Sequence, residues 1–538
     1  MIFRYDAEKE KLILSSATRI EYHQLDIWLT RKPKGWKFMP AVKMGVWDGN
    51  ITYFDAGKVN LGLWKECLLA AKEIGVKFDI ENKKDFPLNR DITLESVQEF
   101  CTEFFKNHKV LDKKTNEWKS FTPYDYQIET AYKIMKNRYC MAEVATSGGK
   151  SLVISIVILY TLHKIDPNAK ILIIVPSISL VTQFYDNIME YNYGENNMQA
   201  VRDSKIDAII NDSKYPVCDL RIEEIMSDKP RKYSGVSDPN IYIGCYQSLE
   251  KWPKEFFKQF HTVACDEAHQ SKAKTITDIL ERTYGTAYNR FGVSGTFPVD
   301  DSCEILTIQS VLGPKVTQIE ADLLVKQGKI TPMKIKTLKL NYNETELNQK
   351  LKSARNPNNG RDIYQFEKDW IQQNEKRLEF IKKLVDKKCQ NNTLVLFHTI
   401  EYGQRLFNKI SEIDDDIEVY YIDGSVSNKE RQIIIEHMNR TDKKKILVAS
   451  FGTLSTGVSI NSIFNVIFAD SFKSEQVIIQ SIGRALRLYE GKVEATIYDL
   501  VDILDINGPM NTLLKHYNER EKFYIKRKYP IDVTQINI

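Results

Sequence analysis

Residues 139–162 read YCMAEVATSGGKSLVISIVILYTL. A mostly apolar run, 139–144, enters a loop of small residues, and a strongly apolar run, 152–162, leaves it. Strand, small-residue loop, helix is the order that lets backbone N–H groups surround a phosphate at a helix N-terminus. In that setting Lys150 reaches the β and γ phosphates of ATP and the Ser151 hydroxyl holds Mg²⁺, while Thr146, Ser147, Gly148 and Gly149 shape the cradle. Val144 stands where G-x-x-x-x-G-K-[ST] has its first glycine, so the residues also fit a plain glycine turn.

Downstream of this loop, apolar runs at 171–175, 262–265 and 291–293 are bounded by Gly, Ser or Pro and alternate with helical stretches. Strands that are apolar throughout and separated by helices predict a parallel sheet buried on both faces. The pattern lapses over the polar, turn-rich 341–361. Helical spacing follows at Ile363, Phe366, Trp370, Ile371, Leu378, Ile381 and Leu384. Strand–helix alternation then resumes with 393–397, 419–422, 446–449 and 466–469. Two tandem α/β units are therefore predicted, at 121–320 and 321–505. Upstream, 1–105 mixes short β-rich runs (11–15, 49–54) with a helix-like stretch at 61–74, a small α+β accessory domain. The lysine-rich 106–120 reads as a linker, and 506–538 as a basic helical tail.

The chain has 538 residues, 42% apolar and 28% charged, with a formal net charge of +4. This is the composition of an ordinary globular protein of several domains, which excludes wholesale disorder. No apolar run reaches the roughly 18 residues of a membrane span, and MIFRYDAEKEKLIL lacks a basic-then-apolar signal. A cytoplasmic protein with no membrane partner is expected. Eight dispersed cysteines, without C-x-x-C pairs, read as buried thiols in a reducing compartment. The net charge permits nucleic-acid binding through local patches without demanding it.

A second chemical segment is Asp266-Glu267-Ala268-His269, after the strand-like 261–265. Adjacent carboxylates at the end of a buried strand suit a divalent cation and an attacking water: Asp266 ligates Mg²⁺ and Glu267 orients or deprotonates the water. A third is 480–487, QSIGRALR, where Gln480 precedes Arg484 and Arg487. Three residues apart, the arginines share a helical face, as arginine fingers to a γ-phosphate or as a solvated basic face.

In this order the motifs resemble those of the superfamily 2 helicases and translocases. Tyr126-Gln127 is similar to the Q motif, which implies Gln127 as the adenine contact. Residues 144–151 resemble motif I, and 175–177 running on to Gln183 resembles motif Ia, implying backbone contacts by Pro176 and Gln183. Tyr246-Gln247-Ser248-Leu249 is similar to motif Ib, through Gln247. Residues 266–269 resemble motif II of the DEAH type, and Ser294-Gly295-Thr296 resembles motif III, which couples hydrolysis to movement. In the second unit Leu396-Phe397-His398 looks like motif IV, implying a nucleic-acid contact by His398, and Asp423-Gly424-Ser425 with Arg431 looks like the segment after it. Residues 455–459 look like motif V, with Gly457 at the nucleotide and Thr453 at the nucleic acid, and 480–487 look like motif VI. The resemblance spans about residues 120–500. It implies two RecA-like domains.

Closer similarity lies with phage recombination helicases of the UvsW type. Lys37-Phe38-Met39-Pro40 and Gly45-Val46-Trp47-Asp48-Gly49 look like their opening domain, and 145–151 and 451–457 look like their versions of motifs I and V. This chain is longer between motifs Ia and Ib, where 200–240 is polar and basic. Arg31, Lys32, Lys34, Trp36, Lys37, Lys43 and Trp47 suit a phosphate backbone with stacking, or a small domain with core tryptophans and solvated lysines; the resemblance implies DNA binding, through Lys37 and Trp47. The tail segment 516–528 fits either a strand contact or a packing helix.

The implied activity is ATP-driven remodelling of branched DNA, by fork regression, junction migration and unwinding, in recombination and repair. The expected partners are forked, branched or single-stranded DNA and replication or recombination proteins, with the chain acting as a monomer. A duplex-DNA translocase subunit of a restriction or repair complex, an RNA helicase and a non-hydrolysing annealing protein are the alternatives.

Overall fold

The computed structural model describes residues 1–86, 91–112, 117–203, 213–226, 237–298, 302–342, 363–414, 416–440, 443–454, 460–472, 475–489, 491–504 and 511–538. The chain divides into two compact units, 1–145 with 149–319, and 320–538 with 146–148.

The first unit opens with β1 (Ile2–Asp6), β2 (Lys11–Ser16), β3 (Thr30–Arg31), β4 (Ile51–Thr52), β5 (Lys58–Asn60) and β6 (Asp79–Ile80). They form a mixed sheet of order β5-β2-β1-β6 and a separate antiparallel pair, β3 with β4. Phe3, Leu12, Leu25, Leu29 and Cys67 close a small core over it. This module is fastened to the domain that follows. Glu10 is buried and accepts from Arg290 Nη1 at 3.3 Å and from the Gly285 N–H at 2.9 Å. A Cβ on Gly62 would strike the Gln309 carbonyl, so only glycine permits that approach.

Residues 106–120, read as a linker, instead supply an antiparallel hairpin, β7 (Lys109–Asp112) with β8 (Glu117–Ser120). Its solvent-facing β8 gives no apolar alternation to read. Helix Leu94–Phe104 packs Val97, Phe100 and Phe104 into the core of the large sheet rather than into the opening module.

That sheet comprises β9 (Tyr139–Val144), β10 (Ile171–Val175), β11 (Ile222–Ile225), β12 (Ile241–Cys245), β13 (Thr262–Asp266), β14 (Asn289–Ser294) and β15 (Lys315–Ile319). All pairs are parallel, in the order β11-β12-β10-β13-β14-β9-β15. Helix Lys150–Tyr160 buries every residue from Leu152 to Tyr160, which is why its sequence shows no polar face. Truncating one of its leucines or isoleucines to alanine should cost about 2–5 kcal/mol.

The second unit holds β16 (Met333–Asn341), β17 (Thr393–Phe397), β18 (Glu418–Ile422), β19 (Lys445–Ser450), β20 (Asn465–Phe468), β21 (Ala495–Ile503) and β22 (Ile531–Asn537), again all parallel, in the order β18-β19-β17-β20-β21-β16-β22. Each sheet is flanked by helices in the RecA-like manner. Two bidentate ion pairs pin helices to β21. Arg377 bonds Asp502 at 2.7 and 3.0 Å, and Arg520 bonds Asp499 at 3.0 and 2.8 Å. The tail read as helical is therefore a packed helix, Thr512–Lys526, with Tyr517, Arg520 and Tyr524 buried, and then the edge strand β22.

All eight cysteines are buried and unbridged. No helix among the described residues is long and apolar enough to cross a membrane.

Candidate active site

Parallel register sets one edge of the first sheet. Asp266 at the end of β13 pairs with Val293 of β14, and Val293 pairs with Ala142 of β9. The loop after Val144, the Asp266-Glu267 pair and Ser294 therefore leave the sheet at the carboxyl ends of adjacent strands, where ligands of open α/β sheets bind.

The loop is held in an unusual backbone state. Ser147 and Gly149 have φ of +65° and +78°. A non-glycine residue there costs about 1 kcal/mol or more, a strain that collects at functional turns. Helix Lys150–Tyr160 follows with Gly149 as its cap and no side-chain capping bond. Its first-turn N–H groups are thus oriented for an anion. Gln127 braces the loop from behind: it is buried, its Oε1 accepts from the Tyr124 N–H at 2.8 Å, and its amide nitrogen fills the space a Cβ on Gly149 would need.

Lys150 Nζ donates to Glu267 Oε1 at 2.8 Å. Glu267 Oε2 lies 3.3 Å from His269 Nδ1, which is also 2.8 Å from Ser294 Oγ. Ser294 gives its proton to the Thr296 carbonyl at 2.7 Å, so His269 is the donor to Ser294. Motifs I, II and III thus form one hydrogen-bonded chain. Glu267 itself has left-handed backbone, φ +48°. Burial opposes its charge, but Lys150 and His269 outweigh that and hold the carboxyl below the usual range. Asp266 moves oppositely, pushed up to about 6 by burial and by the Glu267 charge. Its Oδ1 accepts from the Glu267 N–H at 2.9 Å.

These residues fit a hard divalent cation. A buried carboxylate raised in this way gains from a cation, and Mg²⁺ binds through one or two such oxygens plus substrate phosphates. The Ser151 hydroxyl is the other ligand that the sequence predicts. It lies 3.5 Å from the Tyr191 hydroxyl, a neighbour 40 positions away that no local pattern in the sequence announces.

The remaining predicted residues are dispersed. Pro176 is buried directly after β10. Gln183 is half-buried, with an Oε1 that meets no hydrogen-bond partner among the described residues, and Gln247 is exposed. In the second unit the His398 N–H donates to Asp470 Oδ2 at 3.2 Å, and the imidazole lies 4.6 Å from the Phe451 ring. Thr453 is buried, and its N–H donates to Ser450 Oγ at 3.3 Å. Arg487 Nη1 donates to Asn461 Oδ1 at 3.2 Å, and its carbonyl accepts from Lys492 Nζ at 3.1 Å. Burial, then the Arg487 charge, pulls Lys492 down to about 7. Gly457 and the rest of 455–459 lie outside the described residues, as do the side chains of Gln480 and Arg484. In the opening module Lys37 is exposed, whereas Trp47 is half-buried with its indole N–H on the Asn50 carbonyl at 3.0 Å.

Two families match the chain: DEAD/DEAH box helicase over residues 124–305 and helicase conserved C-terminal domain over 376–489, together more than half of it. The ATP-dependent DNA helicase uvsW of Enterobacteria phage T4 is 27% identical over 535 residues, 96% of each chain. The solved T4 UvsW structure is 25% identical and covers 100% of both chains, with a TM-score of 0.47. For fold alone, the ATP-dependent Type ISP restriction-modification enzyme LlaBIII bound to DNA gives a TM-score of 0.54 at 15% identity, over 88% of this chain and 36% of that one. S. cerevisiae Dbp5 bound to RNA and ADP BeF3 gives 0.51 at 13% identity, over 77% and 90%.

Proposed function

The chain belongs to the DEAD/DEAH-box helicases of superfamily 2, and from that membership we propose that it is an ATP-driven DNA motor that remodels branched DNA in recombination and repair. The ATP side of the reading is carried by the bonded chain Lys150–Glu267–His269–Ser294 at the head of an uncapped helix. The DNA side rests on similarity to the phage DNA helicase across 96% of both chains, the opening module included.

In this reading the first-turn N–H groups and Lys150 take the phosphates of ATP, and Gln127 reads the adenine. When Lys150 turns to a phosphate it leaves Glu267 free to orient the attacking water, and His269 and Ser294 carry the change into motif III. Ser151 and Asp266 hold Mg²⁺, which supplies neutralisation of phosphate charge. Gln480, Arg484, Arg487 and Gly457 act on the nucleotide during turnover. Pro176, Gln183, Gln247, His398 and Thr453 contact the nucleic-acid backbone, with Lys37 and Trp47 in an accessory DNA-binding domain. A monomeric state, a cytoplasmic location and engagement with replication or recombination proteins belong to the same proposal.

The test is strand separation of a forked duplex and migration of a four-way junction, each with ATP and with a non-hydrolysable analogue. Separation and migration only with ATP support the reading. Activity confined to RNA duplexes, or equal with the analogue, overturns it.

A further inference from the structure

Five of the seven most exposed large apolar side chains among the described residues lie between Ile20 and Val46. Three belong to one projection of the opening module: Phe38 at 76% exposure, Met44 at 70% and Val46 at 78%. The projection is ordered. β3 and β4 form its stalk, and the tip is knitted by backbone bonds: Phe38 to Gly35, Met44 to Pro40 and Val46 to Ala41. The Trp36 ring lies against Gly49, whose φ of +83° and missing Cβ allow that packing, and Lys32 Nζ sits 3.8 Å over the ring. Trp36 and Trp47 are thus consumed in building the tip. The side chains it presents are Phe38, Met44 and Val46, and Lys43 Nζ lies 5.9 Å from the Phe38 ring.

The mount is rigid. Tyr53, the residue after β4, places its hydroxyl 2.6 Å from both the Cys303 carbonyl and the Thr307 hydroxyl. Behind it Glu10 grips Arg290 on β14, the strand that ends at Ser294. The projection is thus tied through hydrogen bonds to the helix that holds Cys303 and Thr307, and its module to the strand that carries motif III.

Charge selects the occupant. Arg31, Lys32, Lys34, Lys37 and Lys43 face a single carboxylate in the projection, Asp48, which Asn50 already engages at 2.9 and 2.7 Å. Apolar side chains among cations match an exposed base pair flanked by phosphates.

We propose that Phe38, Met44 and Val46 form a wedge that packs on the terminal base pair at a DNA branch and parts its strands, with Lys34, Lys37 and Lys43 on the flanking phosphates. This rests on the reading of the chain as a motor on branched DNA. The wedge replaces Trp47 as the group that meets the bases.

The experiment uses the full chain with Phe38→Ala, the triple variant Phe38→Ser/Met44→Ser/Val46→Ser, and Leu323→Ser as a control at an exposed apolar position elsewhere. The probes are a forked duplex carrying 2-aminopurine at the branch, single-stranded DNA, and phosphatidylglycerol vesicles. Expected are a fall of about tenfold or more in fork unwinding for the triple variant, loss of the 2-aminopurine signal on binding, and a fall below about threefold in hydrolysis stimulated by single-stranded DNA. Phe38→Ala should lie between, and Leu323→Ser should match wild type. Unwinding within about twofold of wild type overturns the wedge, as does an equal fall in both activities, or vesicle binding that depends on these residues while unwinding does not. Wild-type protein whose hydrolysis no DNA stimulates fails the motor reading and the wedge together; stimulated hydrolysis with unwinding indifferent to these residues fails the wedge alone.

Discussion

Lys150 Nζ and Glu267 Oε1 are 2.8 Å apart, so the cation proposed for the phosphates and the carboxylate proposed for the water form one ion pair. A phosphate must compete with Glu267 for Lys150. Glu267→Gln should therefore bind ATP at least as tightly as wild type while hydrolysis falls by about 10²–10⁴. Titration with a fluorescent ATP analogue, beside single-turnover hydrolysis, reads both quantities. Weaker binding with hydrolysis intact would reverse the assignment.

The His269–Ser294 bond predicts a coupled pair. Each of His269→Ala and Ser294→Ala removes this buried hydrogen bond while the remaining partner keeps its other contacts, and should cost about 0.5–1.5 kcal/mol in urea unfolding. The double variant should cost less than their sum by about 0.5 kcal/mol or more. Strict additivity would mean that the contact carries no energy.

Glu10 and Arg290 give a sharper stability contrast. Both are buried, and Glu10→Ala strands the guanidinium. The expected loss is about 3–5 kcal/mol. Replacing Arg290 by Met in that background should recover most of it, because the unpaired charge goes too. Failure to recover would assign the loss to the strained Glu10 backbone, whose φ is +46°.

Lys492 predicts a pH dependence. Its ammonium is pulled to about 7 in the folded chain, below the value of about 10.5 it has when unfolded. The unfolded state thus binds the proton more tightly between those limits, and stability from this group rises with pH across that window. Lys492→Met should raise the melting temperature clearly at pH 6 and little at pH 9.5. Equal gains at both would show that the ammonium is not penalised.

Legibility followed exposure. The run Ile171–Val175 matches β10 to the residue, because a strand buried on both faces is apolar throughout and ends at a proline. The polar edge strands β15, KVTQI, and β22, IDVTQIN, escape that rule, and hairpin β7–β8 reads as linker for the same reason. At the site, Lys150 and Glu267 stand out as parts of local motifs, and the structure joins them. Tyr191 beside Ser151 and Glu10 under Arg290 do not, since those contacts cross 40 and 280 positions and neither residue sits in a recognisable pattern.

The most direct measurement is steady-state ATP hydrolysis with no nucleic acid, single-stranded DNA, forked DNA and matched RNA, beside Lys150→Ala. Strong stimulation by forked DNA, abolished in the variant, is the predicted result. Stimulation by RNA alone, or hydrolysis that survives loss of Lys150, would contradict the account.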